Sequence, residues 1–215
     1  MSSFDYKIKK AAQGTAPHPA ILLLHGYGSN ADDLFTFADY LPEQYTIISL
    51  EAPLANPYGG KAWYSINFDA DQNKWSDLEE AKKSLDKLVH QWDYFLTAYN
   101  LNPKDINLMG FSQGAILSWS LLLDHPEKFR RAVCMSGCVN SELLQHPLEA
   151  YHNVLAFASH GTQDATVPFA WAASSIKTLQ KNNTGVTFNT YPAGHNVSPE
   201  NFRDLLKWLK ITDQD

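Results

Sequence analysis

Ser112 lies inside Gly110-Phe-Ser-Gln-Gly114, with a short apolar run from Asp105 to Met109 before it and an apolar, helix-forming stretch from Ala115 onward. This is G-x-S-x-G between a strand and a helix, the context in which a sharp turn strains the serine backbone and exposes its hydroxyl. Gly110 and Gly114 leave open the space that a Cβ would fill against the neighbouring turn. A helix beginning near Gln113 points its free N–H groups at the site and favours negative charge there. A serine held in this way is placed to attack a carbonyl. A Gly-Ser turn before a helix is also an ordinary capped loop, so the reading depends on partners elsewhere in the chain.

A serine hydroxyl needs a base to take its proton as it attacks. Imidazole suits the task because it titrates near operating pH, and a buried carboxylate fixes its tautomer. The chain supplies both after expected strand ends: Asp164 in His160-Gly-Thr-Gln-Asp-Ala-Thr-Val-Pro168, and His195 in Pro192-Ala-Gly-His-Asn196. The order Ser112, Asp164, His195 is that of α/β-hydrolases. Of the other histidines, His18, His90, His125, His146 and His152 read as solvated or capping groups in loops and helices. His25 and His160 each precede Gly at a strand end and read as loop-ordering residues. Attack also creates an oxyanion, which preorganised backbone N–H groups must meet at roughly 2.7–4 kcal/mol each. Gln113, the residue after the nucleophile, gives one donor. Tyr27, in the His25-Gly-Tyr-Gly28 loop, gives the second, and neither side chain is needed for this.

These residues need a scaffold. Phe4, Tyr6 and Ile8 alternate with polar residues as in an edge strand. Ala20–Leu24, Tyr45–Leu50, the run before Ser112, Arg131–Met135 and Val154–Ala158 are apolar runs of strand length, expected to be covered on both faces. Val186–Tyr191 reads as the last strand. Asn30 is expected to cap a helix over 31–41 that Pro42 ends. Ser76-Asp-Leu-Glu79 reads as a capping box for a long amphipathic helix over 78–99. Further helices are expected from Ala115, from Pro168 and from Pro199, with a short one over 140–145. Strands alternating with helices predict a mostly parallel sheet with helices on both faces and a site beyond the strands' carboxyl ends. Residues 51–75 read as a long irregular cover over the site, carrying Tyr58, Trp63, Tyr64, Phe68 and Trp75.

The motifs Leu22-Leu-Leu-His-Gly-Tyr-Gly28, Gly-Phe-Ser-Gln-Gly, His-Gly-Thr-Gln-Asp-Ala-Thr-Val-Pro and Ala193-Gly-His195 resemble those of the phospholipase/carboxylesterase family of α/β-hydrolases. That family includes carboxylesterases, lysophospholipases and acyl-protein thioesterases, and the resemblance spans about residues 20–210. It implies an α/β-hydrolase fold without a large cap domain. It also implies Ser112, Asp164 and His195 as catalytic triad, the Tyr27 and Gln113 amides as oxyanion donors, and neither cofactor nor metal. Trp63, in Lys61-Ala-Trp-Tyr-Ser65, matches an aromatic of the family's substrate loop and is thereby implied to bind substrate in the acyl pocket. Ala115, and Ser29-Asn30, stand where thioesterase-like members often carry a second Gly and an Asp-Thr-Gly-like turn.

The chain has 215 residues, is 44% hydrophobic and carries a net charge of -6. This fits one domain, 1–215, burying roughly 70% of its unfolded surface. The acidic balance, with no basic block, argues against nucleic acid and anionic membranes as partners. Met1–Lys10 has no apolar signal-peptide core, and no run approaches the ~20 apolar residues of a membrane span, so no stable membrane insertion is expected. Cys134 and Cys138 are the two cysteines and read as a reduced, partly buried pair, which points to the cytoplasm. The expected function is hydrolysis of carboxylic esters with small to medium acyl chains through an acyl-enzyme on Ser112, the partner being a small-molecule ester or thioester. Acyl-protein thioesterase or lysophospholipase activity is the near alternative, and a non-catalytic ligand-binding module on a hydrolase fold the distant one. A homodimer is left open.

Overall fold

The computed structural model describes residues 4–68 and 74–212. In chain order the elements are β1 (Tyr6–Lys9), β2 (His18–Leu24), α1 (Asp32–Phe35), β3 (Thr46–Leu50), β4 (Leu54–Ala55), β5 (Lys61–Ala62), β6 (Ile66–Phe68) and β7 (Lys74–Ser76). They continue with α2 (Leu78–Ala98), β8 (Leu101–Phe111), α3 (Gln113–Asp124), β9 (Arg131–Met135), β10 (Ala156–Gly161), α4 (Phe169–Gln180), β11 (Val186–Tyr191) and α5 (Pro199–Thr212). Seven strands form one sheet in the order β1-β3-β2-β8-β9-β10-β11. β1 is antiparallel to β3 at the edge, and the other pairs are parallel.

The strands alternate between two buried clusters, which explains why they read as unbroken apolar runs. Ala20, Leu22 and Leu24 of β2 face one cluster with Leu88, Trp92 and Phe95 of α2, Leu117 of α3 and Ile176 of α4. Ile21 and Leu23 face the other, with Leu34 of α1 and Leu205 and Leu209 of α5. Each large apolar side chain so covered contributes about 1.5–3 kcal/mol. α3 is buried along nearly its whole length, so the helix that follows Ser112 is fixed from all sides.

The chain passes from β2 to β3 on one side and later to β8 on the other. The sheet order therefore reverses between β2 and β8, and the crevice at their carboxyl ends is where ligands bind in such sheets.

Several local expectations are corrected. The helix over 31–41 shrinks to Asp32–Phe35, followed by turns with i→i+3 bonds such as Ala38 N–H to Phe35 O and Tyr40 N–H to Phe37 O. Asn30 Oδ1 accepts from Asp32 N, two residues on, an Asx-turn rather than a helix cap. The cap of α2 is Asp77, whose carboxylate accepts from Glu80 N at 3.0 Å. Ser76 is paired in β7 with Ile66, so the sequence box was one residue out of step. β8 begins at Leu101, ahead of the run from Asp105 read from the sequence, and pairs continuously with β2 from Ile106 onward. His18 opens β2 rather than lying in a loop. Residues 51–68 are irregular only in part: β4 pairs with β5, and β6 pairs with β7. The side chains of Phe68 and Trp75, and residues 69–73, lie outside the described residues.

Candidate active site

Ser112 connects β8 to α3 with φ 52° and ψ -117°, a strained left-handed conformation that a side chain adopts only when its surroundings impose it. Two contacts do so. Ser112 N–H donates to Met135 O of β9 at 2.9 Å, and Ser112 O accepts from Ala115 and Ile116 at the start of α3. Gly114 lets that turn sit against β2: a Cβ there would stand 2.0 Å from Leu24 O. Ser112 is only 7% exposed, with its hydroxyl at the crevice.

His195, after β11, meets it. Its Nε2 lies 2.9 Å from Ser112 Oγ, and its Nδ1 lies 2.7 Å from Asp164 Oδ2. An ionised carboxylate only accepts, so Nδ1 carries the proton and Nε2 faces the serine as an acceptor. The loops bearing Asp164 and His195 are stitched together by Thr162 N–H to Tyr191 O and Gln163 N–H to Ala193 O. Asp164 is enclosed, and its Oδ1 accepts from the amides of Thr166 and Val167 at 2.9 and 3.0 Å. Phe111 packs its ring 5.0 Å from that of His195.

Tyr27 and Gln113 line the same cavity. Gln113 is the first residue of α3, where an amide has no intrahelical acceptor. Neither amide has an acceptor among the described residues. The Tyr27 loop is held by Gly28 N–H to Lys61 O and Lys61 N–H to Ser29 O, which tie it to β5. His25 beneath it is fully buried: Nδ1 donates to Gly26 O at 2.7 Å and Nε2 accepts from Ala52 N at 3.1 Å. Burial lowers the pKa of this imidazole below its ordinary value.

Trp63 does not line the cavity, which corrects its assignment to substrate binding. It is 0% exposed, its Nε1 donates to His25 O at 2.8 Å, and its ring lies between Phe4 and His25. Its amphipathic ring satisfies its one donor inside the core and so serves the loop rather than a ligand. The adjacent Tyr64 lines the cavity instead. Sequence reasoning also missed Gln113's side chain, whose Oε1 accepts from Trp63 N and whose Nε2 donates to Tyr64 O. No spacing signal marks such a contact, because its partners lie 49 and 50 residues away.

The cavity measures about 810 Å³. Ile66, Ile116, Val139 and Val167 give it apolar walls, with Ser112 and His195 at its surface. Tyr58 and Trp171 stand at its exposed rim, 90% and 59% exposed. Cys138 also lines it, and burial pushes that thiol up to about 11. Cys134 lies deeper, complete burial raises its thiol well above the ordinary value, and both cysteines are free.

The fold and the site carry the family with them. A phospholipase/carboxylesterase family model matches residues 8–213, and the chain belongs to that family. It is 26% identical to acyl-protein thioesterase 1 of Kluyveromyces lactis over 218 residues, covering 94% of this chain and 95% of that one. It is 29% identical to a probable carboxylesterase SOBER1-like protein of Arabidopsis thaliana over 161 residues, a stretch spanning 68% of this chain and 62% of that relative's length. Among solved structures, esterase PE8 superposes with a TM-score of 0.81 at 22% identity, covering 97% of this chain and 99% of that one. The Bacillus cereus carboxylesterase gives 0.80 at 20% identity, with 96% and 93% covered. These likenesses establish the α/β-hydrolase fold.

Proposed function

We propose that the protein is a serine esterase that cleaves carboxylic esters of small to medium acyl chains through an acyl-enzyme on Ser112. The observation that carries the reading is the unbroken chain Ser112 Oγ, His195 Nε2, His195 Nδ1, Asp164 Oδ2, with contacts of 2.9 and 2.7 Å. In this reading Ser112 Oγ attacks the ester carbonyl as His195 Nε2 takes its proton. The negative oxygen formed is met by the amides of Tyr27 and Gln113, two residues of the cavity lining whose N–H groups have no acceptor among the described residues. His195 then returns the proton to the departing alkoxide. The alcohol leaves and the acyl group stays on Ser112. Water enters and attacks the acyl carbonyl as His195 takes one of its protons; the bond from Ser112 Oγ to the acyl carbon then breaks as His195 passes that proton to Ser112, and the acid is released. Asp164 holds the imidazole and stabilises its charged form throughout.

The cavity of about 810 Å³ with mixed apolar walls accommodates a chain of moderate length within the usual range of small-molecule sites. Thioesters are the second reading, favoured by the relatives named acyl-protein thioesterase that match nearly the whole chain. A non-catalytic module is disfavoured because each hydrogen-bond partner of the serine is in place. The cytoplasm as compartment belongs to the same proposal and rests on Cys134 and Cys138 standing as free thiols.

The test is Ser112→Ala assayed with a p-nitrophenyl ester, alongside labelling of the wild type by a fluorophosphonate. Loss of turnover and labelling at Ser112 are expected. Turnover at the wild-type rate in Ser112→Ala would remove the assignment.

A further inference from the structure

Tyr45, Tyr64, Tyr151 and Tyr191 are buried, and three of these hydroxyls have partners inside the protein. Tyr45 accepts from Arg131 Nη2 at 2.6 Å, Tyr151 donates to Asp124, and Tyr191 donates to Asp204 at 2.8 Å. Tyr64 differs: it is 2% exposed, yet its hydroxyl hydrogen has no acceptor among the described residues. Burial pushes this phenol well above its ordinary value, the nearby Cys138 thiol adds to that, and the Gln113 side chain pulls it partly back. The group is therefore a neutral O–H donor across the working pH range. An amide that lowers a phenol's pKa turns its N–H toward the phenol oxygen, which leaves the O–H hydrogen still to be placed. Tyr64, Gln113 and Cys138 all line the cavity that holds Ser112.

The backbone under Tyr64 is fixed on both sides. Gln113 Oε1 accepts from Trp63 N, and Gln113 Nε2 donates to Tyr64 O. Ser84 Oγ donates to Trp63 O at 2.5 Å, and Glu80 Oε2 accepts from Ser65 N at 2.7 Å. A phenol held in this way does not swing out to find a partner elsewhere.

We propose that Tyr64 is a specificity-determining residue whose hydroxyl donates to a neutral oxygen carried on the substrate's acyl chain, so that oxygenated acyl esters are the preferred class. The proposal rests on the reading of Ser112 as the nucleophile of an ester hydrolase.

Water can serve the Tyr64 hydrogen in the free enzyme, but an alkyl chain that displaces the water leaves a buried donor unpaired. A chain that brings its own acceptor restores the bond, and a site with such a donor discriminates against the analogue without one. The acceptor is neutral because the charged side chains lining the cavity, Asp33 and Glu142, are both acidic, and neither Lys nor Arg lines it among the described residues. A carboxylate or phosphate on the substrate would meet like charge. The acyl side is favoured by depth. Tyr64 and Gln113 are 2% and 3% exposed, whereas Tyr58 and Trp171 mark an open rim. The alcohol leaves first, through that rim, while the acyl group stays bound to Ser112 and occupies the enclosed end.

The experiment compares wild type and Tyr64→Phe on p-nitrophenyl hexanoate and on analogues in which an ether oxygen replaces one methylene, moved along the acyl chain. An ether only accepts, so it reports a donor. The readout is kcat/KM for each ether relative to the plain ester, which cancels intrinsic reactivity and any general loss from the substitution. For the best-placed ether this ratio is expected to fall about fivefold to tenfold in Tyr64→Phe. A ratio unchanged at every position overturns the proposal, because a tyrosine that only fills space would lower all the esters together. Alkyl hexanoates with the ether oxygen in the alcohol are run beside them, and a selective loss confined to that set overturns the acyl assignment. Turnover surviving in Ser112→Ala on the same esters overturns the underlying reading instead, so the two failures are separable.

Discussion

The Gln113 side chain clamps Trp63 and its neighbour from both sides, Oε1 accepting from Trp63 N at 2.8 Å and Nε2 donating to Tyr64 O at 2.7 Å. Gln113, at the start of α3 and in the cavity lining, thus uses its side chain to hold the strip between β5 and β6. Gln113→Leu keeps the volume and the amide but leaves a buried N–H and a buried C=O unpaired. We expect it to cost about 2–4 kcal/mol of stability. A urea titration measures this, and an unchanged midpoint would mean the clamp contributes nothing.

Trp63 and the cavity wall should separate in a substrate ladder. Trp63→Phe loses the bond to His25 O and is expected to cost about 1 kcal/mol while leaving the ranking of esters by acyl length as it was. Ile116→Ala enlarges the cavity beside Ser112 and should shift that ranking toward longer chains. Rates on p-nitrophenyl esters from acetyl to decanoyl check both. A changed ranking in Trp63→Phe would return that residue to the pocket wall.

The sequence exposes what depends on local spacing. Alternating strands and helices, the glycines flanking Ser112, and Asp164 and His195 after strand ends are all legible there, because backbone geometry requires those residue types at those offsets. The two hairpins within residues 51–76 are not legible, since two- and three-residue strands leave no periodic trace. Trp63 was misplaced for a related reason. An aromatic in a loop has the same sequence signature whether it faces a ligand or, as here, donates its indole N–H to a backbone carbonyl across 38 residues. His160 reads as a loop-ordering residue, and its Nε2 does bond Val167 O in the loop that follows β10.

His25 makes stability depend on pH with a definite sign. Burial lowers its folded pKa, so between that value and the ordinary imidazole value of about 6.5 the unfolded chain binds more protons. Its contribution is therefore complete above about pH 6.5 and is lost as pH falls toward the folded pKa, at no more than about 1.4 kcal/mol per pH unit. Protonation at Nε2 also displaces the Ala52 N–H that this nitrogen accepts. Denaturant midpoints from pH 8 to pH 5 should decline more steeply in wild type than in His25→Asn. Parallel curves would show that His25 does not titrate on unfolding.

Cys138 offers a chemical probe of the cavity. Its thiol is pushed up to about 11 by burial, so at pH 7 only about one molecule in ten thousand carries the reactive thiolate. Alkylation by iodoacetamide should be slow at pH 7 and accelerate roughly tenfold per pH unit up to pH 9, as the thiolate fraction does. Because Cys138 lines the same cavity as Ser112 and His195, each adduct fills space that the acyl chain needs, and ester hydrolysis should fall in step with labelling. Cys134, 1% exposed, should label only after unfolding. Cys138→Ser should hydrolyse esters normally and resist the reagent. Full labelling of Cys138 with undiminished turnover would place the acyl group in another part of the cavity, away from the wall that Cys138 shares with Val139.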